Sequence, residues 1–180
     1  MRSSAVHLAA LLLLAAPAAM AAQDAPPAQD APPAKHTVIS LNPLALVFGG
    51  ISGEYEHATG AATAVALGGS LWDFGDFHYA SADAKFRFYP NGEALRGFSV
   101  AGTAGYTHVK GSLLCLDSCE QEGNAVTAGV ELGYQWLLGR TRSFALTVGG
   151  GAKRLFYVGD RPGDSSDGIP TFRFSIGYAF

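Results

Sequence analysis

The chain has 180 residues with 12 Lys and Arg against 15 Asp and Glu, and 48% of it is hydrophobic while only 15% is charged. That length suits one domain, and a weakly acidic balance with no basic cluster excludes a nucleic-acid partner. Beyond the N-terminal leader, no apolar run approaches the roughly 18 residues of a membrane helix, so the hydrophobicity must be spread by alternation.

Arg2 precedes a short apolar run from Leu8 to Ala16, and Ala19-Met20-Ala21 supplies a small-x-small cleavage site. This is the pattern of a secretory signal peptide over residues 1–21. Cleavage leaves a mature start at Ala22 and moves the formal charge from −3 to about −4. Residues 22–36 open with two copies of AlaGlnAspAlaProPro, Ala22–Pro27 and Ala28–Pro33. Proline at this density disfavours helix and sheet, so the segment reads as an extended periplasmic spacer.

From residue 37 the chain alternates. Thr37–Phe48 is the least regular stretch, because Pro43 interrupts it. Ile51–His57 sets Ile51 and Tyr55 against Glu54 and Glu56, and Ala61–Leu71 sets Val65, Leu67 and Leu71 against small residues. In His78–Tyr89, Phe86 and Phe88 oppose Asp83, Lys85 and Arg87. Phe98–Val109 carries Phe98, Val100 and Tyr106 on one face. Ala125–Leu138 carries Val126, Val130, Leu132, Tyr134 and Trp136 on one face and Glu131 on the other. Phe144–Lys153 ends with Lys153 opposite the Phe144, Leu146 and Val148 face. In Thr171–Phe180 the apolar face is Phe172, Phe174, Ile176, Tyr178 and Phe180, with Arg173 opposite. Period two identifies strands with one apolar face.

Eight segments, mostly of 10–12 residues, match tilted membrane-spanning strands, and an even number returns both ends to one side. Expected outer loops are Trp72–Asp76, Lys110–Gly123 and Gly159–Gly168, with a short Gly49–Gly50 hairpin. Expected inner turns are His57–Gly60, Pro90–Gly97 and Gly139–Arg142. A soluble barrel or sandwich would turn its bulky face inward. Here the bulky face is all aromatic and aliphatic, while the other mixes Gly, Ala and charge, which suits a narrow lumen. The expected fold is therefore all-β: an eight-stranded antiparallel up-and-down transmembrane barrel over 37–180.

The Phe172, Phe174, Ile176, Tyr178, Phe180 series resembles the signal by which outer-membrane proteins reach the barrel assembly machinery. The stretch Lys35–Phe180 resembles the small OmpX-like and OmpA-transmembrane-like barrels of Gram-negative bacteria. Ser40-Leu-Asn-Pro43 and Phe86-Arg-Phe-Tyr-Pro-Asn91 are similar to segments of proteobacterial barrel proteins. The resemblance implies outer-membrane placement among lipids and lipopolysaccharide, as a monomer. It implies no activity, because the group's tasks run from adhesion to lipid A modification.

Inward charges balance, with Glu54, Glu56, Asp83 and Glu131 against Lys85, Arg87, Lys153 and Arg173. Charges facing a narrow lumen must pair, so these predict an ion-paired interior rather than a wide water path. Cys115 and Cys119, in an exported loop, predict a disulfide. Lys110, Arg154 and Arg161 are placed to contact lipopolysaccharide phosphates. His78 and His108 fall near each other if positions summing to about 187 pair, and they are the residues an alternative lipid A-modifying enzyme would use. Asp160, Asp164 and Asp167 miss the EF-hand spacing. The reading is a non-enzymatic structural or surface-interaction barrel, with the lipid A enzyme second and a narrow channel third; no catalytic residue, metal or cofactor is assigned.

Overall fold

The computed structural model describes residues 34–75, 77–111, 121–158 and 168–180. Expectations for the leader, the repeat, Cys115, Cys119, Arg161 and the three loop aspartates lie outside the described residues. Eight strands follow in order: β1 (Thr37–Leu41), β2 (Gly50–Ala58), β3 (Thr63–Phe74), β4 (Phe77–Phe88), β5 (Gly97–Gly111), β6 (Gln121–Leu138), β7 (Phe144–Val158) and β8 (Gly168–Ala179). A short helix, α1 (Pro43–Val47), stands between β1 and β2. Each strand pairs antiparallel with the next, and β1 pairs with β8 to close the barrel.

The faces are those of the alternation. Large apolar side chains stay exposed on the outside, among them Leu67, Phe86, Val130, Phe156 and Phe172, and small polar ones such as Thr107, Thr127, Thr147 and Ser175 are buried within. An apolar surface around a whole barrel is costly in water and fits lipid. Phe88, Phe98, Trp136, Phe144, Tyr178 and Phe180 gather towards the end that holds the inner turns, as an interfacial aromatic girdle does.

Several expectations on strand limits are corrected. The first segment is not one strand to Phe48. Pro43 has no N–H to give a ladder, and Asn42 Oδ1 accepts from the Leu44 and Ala45 amides at 3.0 and 3.3 Å, so a capped helical turn begins there. The connection to β2 is thus longer than a Gly49–Gly50 hairpin. Nor is Trp72–Asp76 a long loop, since β3 runs to Phe74 and β4 starts at Phe77. Strand lengths range from 5 residues in β1 to 18 in β6 rather than being mostly 10–12, so the wall is low at β1–β2 and tall at β5–β7.

Candidate functional site: the closed lumen

Every inward charge singled out from the sequence reaches the lumen, because each sits at an inward parity of β2, β4, β6, β7 or β8. Six of them form one cluster. Glu54 Oε1 accepts from Arg87 Nη1 at 2.9 Å and Arg173 Nη2 at 2.6 Å, while its Oε2 lies 2.7 Å from Lys85 Nζ. Glu131 answers from the opposite wall: Oε2 accepts from Lys85 at 2.8 Å, and Oε1 from Arg87 Nη2 at 3.1 Å and Arg173 Nη1 at 3.5 Å. Glu56 completes the cluster, 2.7 Å from Arg87 Nη1. Three acids thus meet three bases. The remaining pair, Asp83 and Lys153, is joined separately at 2.6 Å.

Arg87 is fully buried and touches three carboxylates. Its planar fork suits that task, since several N–H groups leave one centre in fixed directions. Removing one partner from such a cluster strands an uncompensated charge, at a cost of about 3–5 kcal/mol.

Below the ion pairs the inner turn after β4 folds back into the barrel mouth, a feature the alternation does not contain. Tyr89 and Leu95 are buried there with Val38, Ala64, Ala145 and Ala179. The Tyr89 hydroxyl donates to Glu56 Oε1 at 2.6 Å. Burial first, then the adjacent Glu56 carboxylate, holds this phenol above its ordinary range, so it remains a donor. Gln135 Nε2 donates to the Leu95 carbonyl at 2.7 Å, and Thr147 Oγ1 donates to Gln135 Oε1 at 2.8 Å. Leu95 keeps a φ of 67°, an uncommon left-handed conformation for a side-chain-bearing residue, and these contacts hold it there. The lumen is stopped twice, by charge and by an apolar stopper. Above the cluster lies a polar cavity of about 60 Å³, lined in part by Ser40, Ser52, Ser70 and Ser175.

The architecture is a closed eight-stranded antiparallel barrel with an apolar outer face. No family model matches the chain, and no curated protein matches it. Among solved structures, the chain is similar to the N-terminal β-barrel domain of Pseudomonas aeruginosa OprF, with 16% identity, a TM-score of 0.47, and 82% of this chain and 98% of that one covered. It is also similar to the Yersinia pestis outer-membrane protein Ail in a phospholipid bilayer nanodisc, with 15% identity, a TM-score of 0.43, and 81% and 99% covered.

The outer candidates are more scattered. In the β4–β5 ladder His78 faces Lys110 and His108 faces Ala80, so pairs sum to 188 rather than about 187. Both histidines border one outer groove with Ile51, Leu71 and Asp73. Each engages a different partner: His78 Nδ1 lies 3.4 Å from Asp73 Oδ1, and His108 Nδ1 lies 2.8 Å from Asn124 Oδ1. Lys110 and Arg154 are exposed but not neighbours, since Arg154 is level with Ala128 and through it Ala104. Arg154 lies over the Phe156 ring at 5.8 Å from its centroid, a cation–π contact.

Proposed function

We propose that the chain is a non-enzymatic barrel of the outer membrane, exported by its N-terminal leader, with a structural or surface-interaction role rather than transport. The observation that carries this reading is the doubly stopped lumen, in which ion pairs from four strands lie above an apolar stopper. Such an interior gives solutes no wide water path, so the environment is met at the outer surface, the loops and the space above the ion pairs. Lys110 and Arg154, exposed on the outward face, support contact with lipopolysaccharide phosphates, to which Arg161 is added from the sequence. Delivery would pass through the barrel assembly machinery by way of the apolar face of β8.

Two measurements test the reading. Reconstituted wild-type protein gives no large, steady conductance in a planar bilayer; porin-sized channels would replace this function with transport. Lipid A from cells with and without the protein has the same mass spectrum; an altered acyl or phosphate pattern would replace it with enzymology at His78 or His108.

A further inference from the structure

The barrel wall is incomplete in its outer half. Pairing of β1 with β8 runs only from Val38↔Ala179 to Leu41↔Ile176, although β8 begins at Gly168. Among the described residues, Gly168–Ser175 of β8 is therefore paired through β7 alone. On the other side, Gly50–Ser52 of β2 is paired through β3, and among the described residues one further bond runs from the Asn42 amide to the Ser52 carbonyl. Between these two lips stands α1, packed on β2 and β8 with Ala45 buried and Leu46, Val47 and Phe48 exposed. Prolines mark both sides: Pro43 ends β1, and Pro170 lies on the free stretch of β8. Proline is tolerated on edges because it has no ladder N–H to offer. In hydrocarbon, a backbone edge left open is costly, so this seam requires a cover.

Directly behind the seam lies the polar cavity of about 60 Å³. Asn42 and Ser52 line it from one lip, Phe174 and Ser175 from the other, and Glu54 and Arg173 from the floor. Ser175 is 5% exposed, and its hydroxyl has no hydrogen-bond partner among the described residues. A buried hydroxyl without a partner is costly, and Ser175 is among the residues that line the cavity.

We propose that the gap between β8 and β2 is a lateral portal with α1 as its cover, through which a single-chain amphiphile with a small, uncharged, hydroxylated head, such as a monoacylglycerol, seats that head against Ser175. Chemistry selects the head. The acids and bases of the floor already match, so a charged head would bring an uncompensated charge, whereas hydroxyls and an amide recognise hydroxyls. The volume admits only a small group. The tail leaves past Phe174 and the exposed face of α1 into lipid.

The proposal rests on the membrane reading above, and its test separates the two. The full chain with Cys115→Ser, Cys119→Ser and Ser175→Cys is folded into phosphatidylcholine vesicles and exposed to bilayer-dissolved N-dodecylmaleimide. Thr127→Cys is the control, since that hydroxyl is also buried and unpartnered but faces the lumen from β6. The portal predicts labelling at position 175 faster by about tenfold, a factor that corresponds to about 1.4 kcal/mol. Ser52→Cys on the other lip gives the same result if Ser175→Cys does not fold. Equal rates, or none at either lip, overturn the portal. Added monooleoylglycerol slows the reaction at 175, and lysophosphatidate of the same chain does not; the reverse order, or no protection by either, overturns the assigned head. Failure of wild-type protein to reach a heat-modifiable folded form in the vesicles overturns the membrane reading itself.

Discussion

Arg87 holds three carboxylates at once, and this decides how the lumen responds to losing a single charge. Glu131→Gln keeps the shape of the side chain but leaves Lys85, Arg87 and Arg173 with fewer acceptors, so three bases face two acids in the cluster. The folded gel band of that variant is expected to convert to the unfolded band at lower temperature, with a loss of about 3–5 kcal/mol in urea titration. Tyr89→Phe removes one donor to Glu56, which retains Arg87, so its cost is smaller, about 1–3 kcal/mol. An unchanged transition in both variants would remove the ion-pair cluster from the account of stability. These charges were legible in the sequence because parity within a strand assigns each to a face. The stopper was not: Tyr89 and Gln135 stood at inward parity, but the turn that brings Leu95 to them leaves no period in the sequence. The one available signal was a tyrosine at inward parity immediately before the Pro90-Asn91-Gly92 turn.

At the scale of elements, the alternation located every strand and, in all but the first, its outward face, but it set limits poorly where backbone chemistry overrides side-chain pattern. The apolar run Leu44-Ala-Leu-Val-Phe48 looks like strand, yet Asn42 and Pro43 start a helix. No side-chain period distinguishes the two over five residues. Closure depends on a similar local detail. Gly177 lies opposite Ser40 in the β1–β8 ladder, and a Cβ there would strike the Ile39 carbonyl and come within 2.8 Å of Ser40 Cβ. Because β1 contributes few paired residues, this junction has little redundancy. Gly177→Val is expected to lose about 1–3 kcal/mol through overpacking and to fold into vesicles more slowly than wild type. Gly102→Val is the control: nothing lies within 4 Å of a Cβ at that outward site, so its folding should match wild type. If the two variants behave alike, crowding at the junction does not limit closure.

For the molecule as a whole, Phe180 offers a backbone and a ring whose parts one experiment can separate. Its carbonyl accepts from the His36 and Thr37 amides, both at 3.0 Å, and its amide donates to the Thr37 carbonyl at 2.9 Å, so its backbone ties β8 to the entry of β1. Its ring is about half exposed on the outward face and stacks with Tyr178 at 6.2 Å between centroids. If the apolar face of β8 is read during delivery, the ring matters before the barrel exists; the backbone bonds matter only as it closes. Deleting Phe180 removes both, whereas Phe180→Ala removes the ring alone. Assembly in cells is expected to fall for both variants, with protein accumulating in the periplasm. Spontaneous folding of purified protein into vesicles is expected to slow only for the deletion, because the alanine variant keeps every backbone bond. Normal outer-membrane yield of Phe180→Ala would leave the ring without a part in delivery and assign Phe180 to closure alone.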